Sequence, residues 1–350
     1  MVRSLPRRRS ISLDDIAHVD STAGPRPSVD LSVDLGRGLT LANPVMTASG
    51  TSGFGEELAR FVDLKELGAF VVKGTTLRPR PGNPSPRLVE TPAGVLNSIG
   101  LQNPGIDQVI AEKIPFLARL GVPVIVNVAG DTPQEYGELA ARLDHVAGVA
   151  GIELNISCPN VEKGGLLFGT DPELAAEVVA TVRQATRLPV IAKLSPNITD
   201  IGLMARAVVQ AGADAVSLVN TYTGMVIDVE RRRPVLSRGV GGLSGPAIRP
   251  LAVYQVWQVY RALSRGDRRG QGQSQVPLIG MGGITSARDA LEFILAGASA
   301  VAVGTATFVR PTTVLEVVNG IREYCQRHGI TSLRQLVGAA HRDGVLLDLA

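Results

Sequence analysis

The segment VPLIGMGGITSARDALEFILAGASAVAVG (276–304) contains two short apolar runs separated by an amphipathic stretch. The runs at 276–282 and 298–304 are bounded by Gly or Pro, as is typical of fully buried parallel strands. Between them, Ser286 and Asp289 can cap the start of a helix whose apolar residues recur at helical spacing. This strand–helix–strand pattern predicts an α/β fold with a parallel sheet.

The same alternation of apolar runs and amphipathic stretches extends over most of the chain. Eight runs predict strands, at 43–49, 68–74, 122–128, 150–157, 188–195, 214–220, 276–282 and 298–304. The stretches 171–185 and 200–212 predict helices between them. Eight strand–helix units predict a (β/α)8 TIM barrel in a single domain. A doubly wound open sheet is the alternative, but it favours GxGxxG after the first strand, where this chain has SGTSGFG.

The composition restricts the class of protein. The chain has 350 residues, 45% of them hydrophobic, and its 39 Gly and 22 Pro are scattered, which excludes collagen-like repeats. Aromatic residues make up only 4%, which disfavours stacking surfaces for nucleic-acid bases. No apolar run approaches the roughly 18 residues of a membrane-spanning helix. The first residues lack the apolar core of a signal peptide, so a cytoplasmic protein is expected. The two cysteines, Cys158 and Cys325, exclude a disulfide scaffold.

Three segments lie outside the minimal barrel. Residues 1–27 are polar and arginine-bearing, and they predict a disordered or poorly ordered basic tail rather than a nucleic-acid-binding arm. The barrel is expected over 28–325, and its polar, Gly- and Gln-rich insertion at 265–275 predicts an exposed loop. Residues 326–350 are expected to form a C-terminal extension.

Amides and lysines alternate at the ends of the predicted strands, where barrel enzymes place their chemistry. Strands two to six end, in order, at Lys73, Asn127, Asn155, Lys193 and Asn220. The chain has only five lysines among 35 basic residues, so two lysines at strand ends indicate function. An Asn side chain has one acceptor and two donors, which match the N–H and C=O edge of a pyrimidine or flavin. Lysine offers a positive charge for a carboxylate or a reduced flavin.

The last two strands end in glycines, and a cysteine follows the fourth strand. Gly282-Gly283 and Gly304-Thr305 occupy the positions at which barrels bind phosphate through backbone N–H groups. Cys158 lies in the polar sequence NISCPN, so a reactive thiol that acts as general base is favoured over a core cysteine. No histidines have metal-ligand spacing and no Ser–His–Asp arrangement is visible, which disfavours metal catalysis and hydrolysis.

Longer motifs occur between residues 29 and 310, in the order ASGTSGFG, VVKGTT, RPGNPSPR, LNSIGLQNPG, NVAG, ELNISCPN, AKLSPN, LVNT, GGLSGPAI, GMGGI and AVAVGTA. Together they resemble the dihydroorotate dehydrogenase family. The cysteine of SCPN and the LQNPG sequence resemble its class 1B catalytic subunits in particular. The resemblance implies an FMN-containing TIM barrel that oxidises (S)-dihydroorotate to orotate in de novo pyrimidine (UMP) biosynthesis.

The resemblance also implies roles for individual residues. Cys158 would be the general base, and Lys193 and Lys73 would be the other catalytic residues. The implied substrate contacts are Lys73, Asn97, Ser98, Ile99, Gly100, Leu101, Asn155, Asn220 and Thr221. The implied FMN contacts are Ser49, Lys73, Gly74, Asn127, Asn155, Lys193, Val219, Gly245, Gly282, Gly283, Gly304 and Thr305. In this scheme Lys193 neutralises the reduced flavin.

A class 1B assignment further implies a partner. Electrons would pass from one FMN per chain to NAD through a second subunit that carries FAD and a [2Fe–2S] cluster. The sequence has neither the cysteine quartet of such a cluster nor a dinucleotide-binding fingerprint, so both cofactors are expected on the partner subunit. A homodimer within a heterotetramer is implied, with no nucleic acid and no membrane.

Four alternatives stay open at this point. A class 1A-type dihydroorotate dehydrogenase would use fumarate, and a dihydropyrimidine dehydrogenase-like barrel would oxidise a ring without a carboxylate. A tRNA-dihydrouridine synthase would share the barrel, FMN and cysteine. A barrel of another class would bind phosphate or flavin without catalysis.

Overall fold

Eight parallel strands form a barrel in the computed structural model, which describes residues 28–156, 169–264 and 276–341. The barrel strands are β1 Val45–Thr47, β2 Phe70–Val71, β3 Val124–Val128, β4 Val149–Asn155, β5 Val190–Lys193, β6 Ala215–Leu218, β7 Leu278–Met281 and β8 Ala300–Val303. Each strand pairs with its successor from β2 to β8, β8 pairs with β1, and a parallel bridge between Met46 and Ala69 joins β1 to β2. The predicted (β/α)8 barrel is therefore confirmed, and every strand overlaps a predicted run.

Helices alternate with the barrel strands. The α-helices of the described residues are Ile106–Gln108, Ile114–Arg119, Pro133–Leu143, Pro172–Ala185, Ile201–Gln210, Arg249–Ser264, Ala287–Leu295, Ala306–Val309 and Thr313–Arg327. A π-helical segment, Val109–Lys113, joins the first two. Single 3-10 turns lie at Leu58–Arg60, Leu64–Glu66, Pro246–Ile248, Leu333–Gln335 and Ala339–His341.

The three helices predicted from capping signals are present at the expected places. Asp171 accepts hydrogen bonds from the backbone N–H groups of Glu173 and Leu174, and Asp200 accepts one from Leu203. The Ser286 hydroxyl accepts from the Asp289 N–H at 3.3 Å. Each such cap satisfies donors that the first helical turn leaves unpaired and stabilises the helix by about 1 kcal/mol.

The core lies between the barrel strands and the surrounding helices. Every side chain of β3, β5, β6, β7 and β8 is buried, which explains why the sequence shows continuous apolar runs rather than alternation. The helices contribute one apolar face each, for example Val178, Val179 and Val182 on Pro172–Ala185. Among the described residues, no helix has both the length and the apolar character needed to cross a bilayer.

A second, antiparallel sheet lies at the carboxyl end of the barrel. Its strands, in spatial order, are Tyr222–Gly224, Gly241–Ser244, Gly94–Asn97 and Leu88–Thr91. Two of them belong to the connection after β2 and two to the connection after β6. The sequence patterns did not predict this sheet, because its strands are short and three of the four contain glycine. Two small hairpins, Val33–Asp34 with Thr40–Leu41 and Ile227–Asp228 with Arg233–Pro234, complete the strands.

The segment that follows the helix Thr313–Arg327 packs against the barrel. Leu333 and Leu336 are buried, and the backbone N–H of Asp30 donates to the Thr331 carbonyl at 2.9 Å. Thr313–Arg327 crosses the boundary that we expected at 325. The predicted tail at 1–27 and insertion at 265–275 lie outside the described residues, so the domain limits stay predictions.

Candidate active site

A cavity of about 1020 Å³ lies between the carboxyl end of the barrel and the antiparallel sheet. Residues at or just after the ends of all eight barrel strands line it, in the region where TIM-barrel enzymes hold their substrates. The predicted site residues that line it are Ser49, Lys73, Gly74, Asn97, Ile99, Gly100, Leu101, Asn127, Asn155, Lys193, Val219, Asn220, Thr221, Gly245, Gly282, Gly283, Gly304 and Thr305. The volume suits a cofactor and a small substrate together.

Two predicted residues are not placed in this cavity. Cys158 lies outside the described residues. Ser98 is 1% exposed and is not among the lining residues. Its hydroxyl and its carbonyl accept hydrogen bonds from the Asn83 side-chain N–H2 at 3.2 and 3.0 Å. These hydrogen bonds join Ser98 to Asn83, and its contact with a substrate stays a prediction.

Lys193 is the most buried cation of the site. It is 4% exposed, and its ammonium group donates to the Ser49 hydroxyl at 3.0 Å. The Glu153 carboxylate, 2% exposed, lies 3.7 Å from the same ammonium group. A buried lysine needs such partners because removing an ammonium group from water is costly. The arrangement holds an ammonium group at the cavity wall.

Asn127 and Ser217 complete the surroundings of that carboxylate. The Asn127 Nδ2 group donates to Glu153 Oε2 at 2.6 Å, and the Ser217 hydroxyl donates to Oε1 at 2.7 Å. The other amide atom, Asn127 Oδ1, is buried and has no hydrogen-bond partner among the described residues. A buried acceptor without a partner is unfavourable, so this oxygen is suited to an N–H group of a ligand.

Lys73 lies at the end of β2 and is only partly buried. Loss of water around it lowers the pKa of the Lys73 ammonium group, the positive charge of Arg87 lowers it further, and Glu57 opposes both effects. Arg87 also lines the cavity, and its guanidinium group donates to Gln102 Oε1 at 2.6 Å. Two cations on one side of the cavity favour an anionic ligand.

The remaining amides that line the cavity are Asn155, Asn220 and Asn97, and each takes part in a hydrogen bond. Asn220 Nδ2 donates to Asn155 Oδ1 at 3.1 Å, and the Tyr136 hydroxyl donates to the Asn155 carbonyl at 2.8 Å. Asn97, on the antiparallel sheet, donates to the Gly242 carbonyl at 3.1 Å. Hydrogen bonds of this kind fix the direction of each amide, so the polar groups facing the cavity are set before a ligand binds.

Glycines bring the loops after β7 and β8 close to the antiparallel sheet. Gly283 has a φ of +74°, and a Cβ atom there would lie 2.7 Å from the Gly245 carbonyl oxygen. A side chain would therefore force these two segments apart. Thr305 donates to the Ser244 hydroxyl at 2.9 Å and ties the end of β8 to the same sheet. A glycine-lined corner of the cavity, where no side chain covers the backbone, suits a phosphate group.

Two groups of residues that line the cavity or contact its lining residues were not predicted from the sequence. Glu153 and Ser217 lie within apolar runs, and a polar residue inside such a run was the available signal. The antiparallel sheet, which was not predicted from the sequence, adds further lining residues. These are Glu90 and Ser244 on its strands and Arg87, which directly precedes the strand Leu88–Thr91. No group of three or more His, Cys, Asp or Glu side chains in the described part of the chain is arranged to hold a metal ion.

Comparisons with known proteins identify the family of this chain. The model of the family described as dihydroorotate dehydrogenase matches residues 32–324. "Dihydroorotate dehydrogenase B (NAD(+)), catalytic subunit" of Pelobacter propionicus is 60% identical over 310 residues, which cover 89% of this chain and 98% of that protein. The protein of the same description from Desulforudis audaxviator is 60% identical over 307 residues, 88% of this chain and 96% of its own length.

A solved structure shows the same fold. The dihydroorotate dehydrogenase of Eimeria tenella, in complex with ferulenol, superposes with a TM-score of 0.74 and covers 91% of this chain and 90% of its own. Its sequence identity is 24%, so this likeness supports the barrel and not the details of the site.

Proposed function

The chain belongs to the dihydroorotate dehydrogenase family, and from that premise we propose that its barrel oxidises (S)-dihydroorotate to orotate in pyrimidine biosynthesis. The family that the sequence motifs predicted is thus confirmed, as is the class of enzyme, a flavin-dependent oxidoreductase. The observation that carries the proposal is the cavity at the strand ends, which two lysines and a set of hydrogen-bonded amides line together. This combination suits a negatively charged ring with N–H and C=O groups.

The residues of the cavity fit FMN as the cofactor. Asn127 Oδ1 is a buried acceptor in need of an N–H group, Lys193 supplies a buried positive charge, and the corner of the cavity lined by Gly245 and Gly283 would hold a phosphate. Ser49, Gly74, Val219, Gly304 and Thr305 would complete the contacts. When bound, FMN supplies a two-electron acceptor for the hydride of the substrate. Lys193 would hold a positive charge beside the bound cofactor.

Lys73 and the amides form the proposed substrate-binding side of the cavity. Lys73 would bind the carboxylate of dihydroorotate, and Asn97, Asn155, Asn220 and Thr221 would bind the ring. The loop from Ile99 to Leu101 also lines this side. The Asn103 side chain donates to the Leu101 carbonyl at 2.7 Å, and Leu101 has a φ of +53°, which is unusual for a residue with a branched side chain. The hydrogen bond from Asn103 keeps the backbone of Leu101 in this conformation, which is suited to precise contact with a ligand.

Cys158 is the proposed general base, although it lies outside the described residues. The proposal depends on its position three residues after Asn155, whose side chain lines the cavity, and on the motif in which it occurs. The proton of C5 would pass to the Cys158 thiolate, and the hydrogen of C6 would leave with its two electrons as hydride. The double bond between C5 and C6 forms in the same conversion, so atoms and electrons balance.

Anaerobic mixing of the purified protein with dihydroorotate tests the proposal. We expect yellow, FMN-containing protein whose visible flavin absorbance falls on addition of dihydroorotate but not of dihydrouracil. Faster reduction by dihydrouracil would instead favour a dihydropyrimidine dehydrogenase-like enzyme. Protein that purifies without flavin and cannot be reconstituted with FMN would contradict the proposal and favour a non-catalytic barrel.

The natural electron acceptor involves a partner in this proposal. The relatives described above are named as catalytic subunits of NAD(+) enzymes, which implies an electron-transfer subunit beside each. We propose that the partner carries FAD and a [2Fe–2S] cluster and that the catalytic chains form a homodimer. The protein alone, once reduced, should then fail to form NADH. Rapid reoxidation by fumarate would contradict this proposal and indicate a class 1A-type acceptor. Location in the cytoplasm stays a prediction.

A further inference from the structure

Glu153 is a buried acidic residue that the proposed mechanism does not use. It lies on β4, is 2% exposed, and is not among the residues that line the cavity. Burying a carboxylate is expensive unless hydrogen bonds and an opposite charge compensate for the lost water. Its three neighbours, Asn127, Lys193 and Ser217, come from β3, β5 and β6, so the carboxylate joins four consecutive strands of the barrel.

The carboxylate determines the direction of the Asn127 amide. An ionised carboxylate only accepts hydrogen bonds, so the N–H2 end of Asn127 must face it, at 2.6 Å. Oδ1 must then point away from Glu153. A Cβ atom on Gly74, a glycine of the cavity wall, would lie 3.2 Å from this oxygen, and the oxygen has no hydrogen-bond partner among the described residues. The amide therefore offers an acceptor at the cavity wall, not a donor.

The same carboxylate lies beside the one buried lysine of the cavity wall within the described ranges. Lys193 Nζ is 3.7 Å from Glu153 Oε2 and 3.0 Å from the Ser49 hydroxyl. Lys193 lines the cavity, while Glu153 is behind it. A negative charge at this distance in a low-dielectric interior weakens the positive potential that Lys193 produces in the cavity. Glu153 can thus affect a bound cofactor without touching it.

We propose that Glu153 is a positioning residue for the cofactor site. It holds Asn127 Oδ1 toward an N–H group of the flavin, and it offsets part of the Lys193 charge, which lowers the preference of the site for reduced over oxidised flavin. The proposal rests on the proposed function, since it concerns FMN in this cavity. It predicts two separate effects, one on hydrogen-bond direction and one on charge.

The substitution Glu153→Gln isolates the charge. Glutamine has nearly the same shape, can accept from Asn127 Nδ2, and can donate to the Ser217 hydroxyl, so both hydrogen bonds survive. We expect the ratio of the dissociation constants of oxidised and reduced FMN to rise at least about tenfold, which corresponds to about 30 mV in the two-electron potential. Ser217→Ala is the matched control, because it removes one hydrogen bond to Glu153 and keeps the charge, and its ratio should stay within about threefold of wild type. An unchanged ratio in E153Q would overturn the charge effect.

Reversal of the donor and acceptor tests the hydrogen-bond direction. Asn127→Asp places a second carboxylate against Glu153, so FMN binding at pH 8 should weaken at least about tenfold and should recover as the pH falls, when one carboxyl group is protonated and can donate. The double variant Asn127→Asp with Glu153→Gln restores a donor–acceptor pair with the original total charge. It should bind FMN within about threefold of wild type at pH 8. A double variant that binds as weakly as N127D, with an unchanged circular dichroism spectrum, would overturn the proposal.

Failure of this inference can be told from failure of the proposed function. Wild-type protein that neither retains FMN nor reacts with dihydroorotate would remove the proposed function, and this inference with it. Wild-type protein that is reduced normally, together with E153Q and N127D variants that match it in both FMN measurements, would overturn the role of Glu153 alone.

Discussion

Single side chains at strand ends account for most of the candidate site, and the sequence predicted them for a physical reason. Parallel strands of a closed barrel all end at the same rim, so polar residues after separate apolar runs must meet there. Asn127, Asn155 and Lys193 line one cavity as expected. Glu153 was missed because its significance depends on partners on three other strands, which a linear pattern does not reveal. Ser98 was predicted together with its neighbours, but it is buried, accepts a hydrogen bond from Asn83 and is not among the residues that line the cavity.

The role of Cys158 gives a prediction at this scale. Cys158→Ser should keep yellow FMN and bind orotate, but flavin reduction by dihydroorotate should slow by about 10²–10⁴-fold, the usual contribution of a general base. In wild type, reduction should speed up as the pH rises toward about 8.5, the ordinary pKa of a thiol, because the thiolate is the active form. Stopped-flow absorbance measures both effects. Cys325→Ser, in the buried face of Thr313–Arg327, is the control and should reduce normally. Normal reduction of C158S at neutral pH would exclude the base role.

Lys73 should determine whether the enzyme recognises a carboxylate. Lys73→Met should raise the KM for dihydroorotate at least about tenfold and reduce the preference over dihydrouracil, since the charge that binds the carboxylate is lost. Burial lowers the pKa of Lys73, so wild-type substrate affinity should decline with rising pH earlier than it would for an ordinary lysine. Steady-state kinetics across alkaline pH measures this. Lys65→Met, an exposed pair partner of Asp63, should change neither quantity. Equal KM values for wild type and K73M would contradict the assignment.

Among the elements, the barrel strands were predictable and the antiparallel sheet was not. A strand buried on both faces is mostly apolar, with its few polar residues paired to one another, so each barrel strand appears in the sequence as a short apolar run. The strands of the second sheet are half-exposed, and Gly94–Asn97 pairs with Gly241–Ser244, which lies roughly 150 residues further along the chain. No local pattern contains that pairing. The sheet nevertheless supplies Asn97 and one wall of the cavity.

The pairing of this sheet gives a prediction at the scale of the element. A Cβ atom at Gly94 would lie 2.1 Å from the Ser244 carbonyl oxygen, so Gly94→Ala should separate the two strands. The affinity for orotate should fall at least about tenfold, while far-ultraviolet circular dichroism keeps the barrel signal. Gly224→Ala in the same sheet is the control, because its nearest neighbour is the end of the Leu96 side chain, at 3.2 Å, which can move. Orotate titration of both variants, followed by flavin absorbance, measures the effect. A G94A variant that binds like G224A would contradict a role for the sheet in the site.

At the scale of the whole molecule, the sequence predicted a barrel but not the contacts that hold residues 338–341 against it. The His341 ring stacks on Trp257, with ring centroids 3.5 Å apart, and on Tyr260 at 4.6 Å. His341 Nε2 lies 2.9 Å from the Ala296 carbonyl oxygen, and the Gly338 N–H donates to the Ile294 carbonyl. These contacts join residues near 340 to two helices of the barrel. They depend on side chains far apart in the chain, so composition and periodicity could not predict them.

The contacts of His341 should make the stability of the protein depend on pH. Burial lowers the pKa of His341 below its ordinary value of 6.5, the Ala296 carbonyl opposes the shift, and Arg261 adds to it. The unfolded chain therefore binds a proton at this site more readily than the folded chain does. The stability contributed by neutral His341 is present above about pH 6.5 and is lost as the pH falls through that value toward the lower pKa of the folded state.

His341→Phe keeps an aromatic ring for stacking and removes the titration. Thermal unfolding between pH 5 and 8 should show a smaller loss of Tm on acidification in H341F than in wild type. Parallel Tm curves for wild type and H341F would show that the His341 contacts do not couple the chain end to the barrel through protonation.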